Sequence, residues 1–275
     1  MKITTSKPGL VLLLIDGSHS TGVTWGNQGQ LLSESIQKQT NRFILDLVIN
    51  AVFDEGEIRD RIKLSAFIAQ GDSLEWAFEV EETPEQWLSS ELWANSGRKV
   101  EDSNVPVWID FTPRGKTPLF AGWTKALGIV SNFKEQYPDS PVFMVTLTDG
   151  DFKELLGSKS DDEIDGMKQL LEDAKSDDNF IHLVVHLSPD NLEPLTFPTE
   201  APEDKFGRFL FDASTWMPKI AFTNSTEAEQ NRRAYVLNAD AGNLSKALEL
   251  GSKVIQNGEH SHGPTPLESM EEEEE

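Results

Sequence analysis

The chain has 275 residues, 37% of them hydrophobic, which is enough for one large α/β unit or two small ones. Its 47 acidic residues outnumber 24 basic ones, and the formal net charge of -23 argues against a nucleic-acid surface and disfavours acidic lipids, since both depend on clustered Lys and Arg. Cysteine is absent, which excludes disulfides and thiolate metal sites and sets the expectation of a reducing, cytoplasmic compartment. No window offers the roughly 18 unbroken apolar residues of a membrane helix, and Met1–Thr4 leads into the first strand without a signal-like run.

Val11 to Ile15 is an unbroken apolar run that stops on Asp16, followed by Gly17, Ser18, His19 and Ser20. It predicts a buried parallel strand whose C-terminal end opens into a polar loop, where open α/β sheets hold ligands. Asp16, Ser18 and Ser20 are short and oxygen-bearing, a set that suits a hard cation such as Mg2+ if the loop curls. After a loop over 21–29, the spacing of Leu32, Ile36, Phe43, Leu47, Val48 and Ala51 predicts a helix over about 31–52. Ile62–Ile68 predicts a second strand, and Leu74–Val80 a third after the Gly71-Asp72 turn.

Residues 81–106 turn acidic and carry Trp87 and Trp93; they predict an insertion packed on the main body, with a short helix over 84–93. An extended piece over 107–111 leads into the loop Thr112 to Pro118, and Pro118 in a favoured first-turn position predicts a helix bearing Leu119, Trp123, Leu127, Val130 and Phe133. Val142–Thr148, ending on Asp149 and Gly150, repeats the design of the opening strand. A helix over 161–175 and a buried strand over 180–187 follow, and then an irregular loop over about 188–207 that opens with four prolines in residues 188–203. Phe209–Phe211, Ala221-Phe222 and Tyr235–Leu237 read as short strands, and a final helix spans about 243–255 with Asp240 or Asn243 as its N-cap. The tail 258–275, ending in Glu271–Glu275, cannot bury a core and predicts disorder, with tethering of a partner as its candidate use. Strands alternating with helices predict one α/β domain over 1–257, a doubly wound, mostly parallel Rossmann-like sheet with helices on both faces.

Three places thus offer oxygen ligands at strand ends or helix starts: Asp16-x-Ser18-x-Ser20, Thr117 and Asp149. In this pattern the chain resembles the von Willebrand factor A domains, also called integrin I-like domains. Their metal-ion-dependent adhesion site uses an Asp-x-Ser-x-Ser loop after the first strand, a Thr in a Gly-containing loop before a helix, and an Asp ending a later apolar strand. The resemblance covers residues 8–187 well and the rest through element order. It implies Mg2+, with Mn2+ or Ca2+ as alternatives, held by Asp16, Ser18, Ser20, Thr117 and Asp149. It also implies a protein partner that completes the shell with an acidic residue, with Gly17, His19, Lys116, Gly150 and Asp151 beside it. Solo cytoplasmic bacterial members of similar style, including tellurite-resistance-associated ones, work with AAA+ ATPases, kinases or phosphatases. A non-enzymatic adaptor in stress response or phage defence is the expectation by that analogy.

Each hydroxyl read singly is more often a helix cap or turn partner, and Asp149-Gly150 equally a turn; joint occurrence favours the site. Gly115-Lys116-Thr117 also resembles the end of a phosphate-binding loop, yet Asp110 stands where the first glycine belongs. An aspartyl-nucleophile phosphotransferase would want an acid at Ser18. The standing alternative is a metal-dependent hydrolase or phosphoesterase using Asp16 and Asp149, with Asp151 nearby, although no His or Lys is placed as general base. His182 and His186, on one side of a strand, read as sheet-face residues rather than ligands, and His260 and His262 as solvated. Trp76, Trp87, Trp93 and Trp108 read as packing rather than a recognition surface.

Overall fold

The first strand, β1 (Gly9–Asp16), is buried along its whole length, as a central strand covered on both faces must be. The structure, a computed structural model, describes residues 3–25, 29–101, 103–149, 159–188, 192–203, 205–217 and 232–257. In chain order β1 is followed by α1 (Leu32–Leu47), β2 (Ile62–Gln70), β3 (Ser73–Trp76), α2 (Ser90–Asn95), α3 (Leu119–Gln136) and β4 (Val142–Thr148). Next come α4 (Asp161–Lys175), β5 (Phe180–Leu187), β6 (Leu195–Thr196), α5 (Lys205–Ala213), β7 (Tyr235–Ala239) and α6 (Ala241–Asn257).

Seven strands form one sheet in the order β6-β7-β5-β4-β1-β2-β3. The five inner strands run parallel, and only the two edge strands, β3 and β6, pair antiparallel. From β1 the chain winds outward to β2 and β3, then returns to place β4 on the other side of β1. The strand order therefore reverses between β1 and β4, and the crevice above their C-terminal ends is the switch point where such sheets bind ligands.

Alternation along β1 splits the core into two layers. Val11, Leu13 and Ile15 face α1 and α6 through Ile36, Phe43, Leu47, Leu248 and Ile255. Leu10, Leu12 and Leu14 face α3, α4 and α5 through Trp123, Val130, Met167 and Leu210. Each fully buried leucine or valine contributes roughly 1.5–3 kcal/mol.

The α-helix predicted over 31–52 stops at Leu47 and closes in a π turn over Val48–Val52, which leaves Ile49 exposed and Val52 buried. The third strand is Ser73–Trp76, shorter than the Leu74–Val80 expected. Beyond it the insertion seals the open edge of β2: Leu64 and Leu88 exchange backbone hydrogen bonds of 3.0 and 2.8 Å, and the Ser90 hydroxyl accepts from Ile62 N and donates to Ile62 O. A bare edge there would invite pairing with another chain. The short helix lies at 90–95 rather than 84–93, because Ser89 supplies the N-cap by accepting from Leu92 N. Trp87, Trp93 and Trp108 are buried and Trp76 partly so, each spent on packing.

The strand expected at Phe209–Phe211 is instead part of α5, and the irregular loop is interrupted by β6 and ends where α5 begins. Gly207, Leu210, Phe211 and Ser214 recur at the spacing of one helical face and are all buried. Phe209 then meets Trp123 at 5.9 Å and Phe120 at 6.0 Å between ring centroids, a contact a strand at this position would not make. Asp240 Oδ1 accepts from Asn243 N at 2.7 Å and so caps α6, which begins at Ala241 rather than 243. Among the described residues no helix is long and apolar enough to cross a membrane. The Ala221-Phe222 strand, the tail, His260 and His262 lie outside the described residues.

Candidate functional site

Asp16 ends β1 with its carboxylate turned into the switch-point crevice and only 1% exposed. One oxygen, Oδ1, accepts from Ser18 N at 2.9 Å, which curls the loop back over the strand end. The Thr117 hydroxyl lies 2.9 Å from Oδ1 and 3.0 Å from Oδ2, and the Thr148 hydroxyl donates to Oδ2 at 2.8 Å. The curled loop brings Ser18 Oγ to 2.9 Å from Ser20 Oγ, and Ser20 Oγ donates to Asp149 Oδ1 at 2.9 Å. Asp149 in turn lies within hydrogen-bonding reach of Asp16. All five residues picked out in the sequence, Asp16, Ser18, Ser20, Thr117 and Asp149, thus meet in one closed network drawn from three loops.

The loops are stitched to one another by backbone. Arg114 N donates to Gly17 O and His19 N to Gly115 O, both at 2.9 Å, so the loop bearing Thr117 lies alongside the loop bearing Ser18 and Ser20. Gly71 N, in the β2–β3 turn, donates to Arg114 O at 3.1 Å. This close approach needs glycine. Gly115 has φ of 64°, and a Cβ there would stand 2.4 Å from Gly71 Cα. Gly17 is equally tight, since a Cβ would meet Ile68 Cγ2 at 2.4 Å. From the other side, α1 holds the extended piece leading to Thr117. Buried Asn41 accepts from Trp108 N and Ile109 N at 2.8 Å and donates to Ile109 O at 2.9 Å, while Gln37 donates to Phe111 O at 2.9 Å.

Two carboxyl groups so close to one another cannot both ionise freely. Burial first, and then the charge of Asp16, push the Asp149 carboxyl up to about 7 against a weaker opposing hydrogen bond from Ser20. A dication between them would remove that penalty. The donor spacing also fits: neighbouring oxygens in a Mg2+ octahedron with bonds of about 2.0–2.1 Å are about 2.9–3.0 Å apart. The oxygens here stand 2.9 to 3.0 Å from their neighbours. Hydrogen bonds have the same length, so protons hold the same cradle without a metal. Among the described residues no group of three or more His, Cys, Asp and Glu side chains gathers, and the candidate donor set is two carboxylates and three hydroxyls.

Thr148 is the participant that the sequence reading missed. It lies inside the apolar run of β4, and only the register that sets Ile15 against Leu147 brings it beside Asp16. Of the residues expected around the metal, His19 and Lys116 are exposed next to the network, Gly17 is buried beneath it, and Gly150 and Asp151 lie outside the described residues. His182 is fully buried away from the solvent. Its Nε2 meets the Thr146 hydroxyl and its Nδ1 the Ala213 carbonyl, each at 2.9 Å. His186 is half-buried at the end of β5, where its Nδ1 accepts from Asn238 N at 3.4 Å. The sequence matches no protein-family model and no curated protein.

Proposed function

We propose that the chain is a Mg2+-dependent protein-binding module, an adaptor of the von Willebrand A type that docks a carboxylate of a partner on a metal held at the switch point. The observation that carries this reading is the convergence of Asp16, Ser18, Ser20, Thr117 and Asp149 on one network at 2.9 to 3.0 Å spacing. Asp16 and Asp149 would balance the charge of the dication, and the three hydroxyls would serve as neutral donors. The metal would supply Lewis acidity toward one incoming oxygen, which suits recognition of a carboxylate. Mn2+ or Ca2+ are the alternative ions. By the same resemblance, the partner is a component of a bacterial multi-protein system, such as an AAA+ ATPase, a kinase or a phosphatase, in a cytoplasmic setting.

The runner-up is a metal-dependent hydrolase built on Asp16 and Asp149. Such an enzyme would want a general base beside the metal. The described groups bonded to the two carboxylates are hydroxyls and a backbone N–H, which favours binding over catalysis. Calorimetric titration with MgCl2 tests the reading: one site is expected in the native protein and none in Asp16→Ala. A native protein that takes up no divalent ion would overturn it, and turnover of a phosphoester lost in Asp16→Asn would favour the hydrolase.

A further inference from the structure

The two longest stretches of the chain without an Asp or Glu are residues 17–33 and 111–134. In a protein with 47 acidic residues among 275, such gaps are conspicuous, and they contain two of the three loops that build the metal site. A surface meant only to attract a cation would gain from surrounding carboxylates, because their potential raises the local cation concentration. Two loops that carry no acid of their own, on a molecule of net charge -23, favour an anionic visitor even though Glu75 and Asp72 approach from the β2–β3 hairpin.

The same loops carry cations toward solvent. The backbone pairing of Gly17–His19 with Arg114–Gly115 sets His19 and Arg114 side by side, with Lys116 one residue further along. His19 and Lys116 are exposed, and among the described residues their side chains make no hydrogen bond or ion pair. The Arg114 side chain is 62% exposed, and it is held rather than free, through an ion pair with Glu75. Glu75 is itself fixed by Gln70, whose Nε2 donates to it at 2.8 Å, and Gln70 is buried. Burial acts to raise the Glu75 carboxyl, but hydrogen bonds from Gln70 and Arg114 outweigh it and keep the group ionised. A guanidinium fixed on one side retains its other donors for a planar carboxylate, and restraint before binding lowers the entropy lost on binding.

We infer that Arg114 and Lys116, with the exposed His19 beside them, form a cationic rim that receives an acidic segment of the partner protein, with one carboxylate on the metal and a second on Arg114 and Lys116. This inference rests on the docking function proposed above and names its partner chemistry: a run of at least two acidic residues rather than a single one. The rim would also accelerate encounter, since exposed charges act mainly through steering and are screened beyond a Debye length of about 8 Å at physiological salt.

The test uses the full chain and two fluorescently labelled peptides, hexaglutamate and hexaglutamine, titrated by anisotropy in MgCl2 and in EDTA. Hexaglutamate alone is expected to bind in MgCl2, with affinity falling as NaCl is raised. Arg114→Gln with Lys116→Gln should weaken it about tenfold, the size expected for two exposed charge contacts. Lys116→Gln alone leaves the Arg114–Glu75 pair in place and should give a smaller loss in the same direction. No binding of hexaglutamate, or equal binding by the double variant, overturns the rim while leaving MgCl2 uptake as the separate gauge of the metal site. Binding indifferent to EDTA but lost in the double variant supports the rim and refutes metal-centred docking.

Discussion

Asp149 is the residue on which proton and metal would compete. Its carboxyl is raised to about 7 by burial and by Asp16, against an ordinary value of 3.8. The folded chain therefore binds more protons than the unfolded chain between about pH 4 and 7, and stability from this group is present at low pH and lost as pH rises toward 7. Asp149→Asn, which removes the charge but keeps the shape, should raise the thermal midpoint of the metal-free protein at pH 8 and leave it little changed at pH 4. In the native protein Mg2+ should restore stability at pH 8 and lose affinity below pH 7; a native and variant protein with parallel pH–stability curves would contradict this. The site residues were legible because short oxygen donors directly follow apolar runs, a change of character that needs a reason. Thr148 was not, because a hydroxyl inside a β-branched run looks like any strand threonine until register is known. Asp149, Ser20 and Thr117 each admit a local role, and only their convergence distinguishes the site.

At the scale of elements, the crevice depends on α1 as much as on the strands that end in it. Asn41 occupies the core-facing side of a helix and uses both ends of its amide on the backbone of Trp108 and Ile109. Asn41→Leu would leave two buried N–H groups and a carbonyl without partners, at a cost of about 1–3 kcal/mol for each group that stays unsatisfied. A lower denaturation midpoint together with weaker Mg2+ uptake is expected, since the segment it fixes leads directly to Thr117. Unaltered metal affinity in a destabilised variant would show that α1 supports the fold without positioning the site. In the sequence Asn41 was one polar residue in an amphipathic helix, with nothing to mark its target. Phe209–Phe211 was misread for a related reason. Three adjacent apolar residues satisfy strand and helix alike, and the deciding contacts, Phe120 and Trp123, lie far away in α3.

For the molecule as a whole, the alternation of strands and helices gave the layered, mostly parallel sheet correctly, since each inner strand is one apolar run and each long helix one amphipathic stretch. What could not be read was the use of the insertion to seal the edge of β2, which depends on Leu64 and Leu88 meeting across 24 residues of chain. The net charge of -23 has its own consequence, because like charges repel more in the folded than in the expanded chain. Raising NaCl from 20 to 200 mM should stabilise the metal-free protein by about 1 kcal/mol, or roughly 2–4 °C in thermal midpoint. A midpoint that falls with salt would mean that attractive pairs outweigh the repulsion.

Because β1 lies between β2 and β4, its two neighbours leave the ribosome at very different times. Residue 62 follows residue 9 closely, whereas Val142, which pairs with Leu10, is made 132 residues later. At about 5–20 residues per second, that interval lasts roughly 7–26 s. In the later part of it, once β2 is complete at Gln70, the most apolar strand of the protein has only one side covered, and the crevice above Asp16 lacks Asp149. Synthesis of β4 and Asp149 thus covers the second side of β1 and completes the candidate ligand set together, so a nascent chain cannot offer the finished candidate site before its central strand is protected.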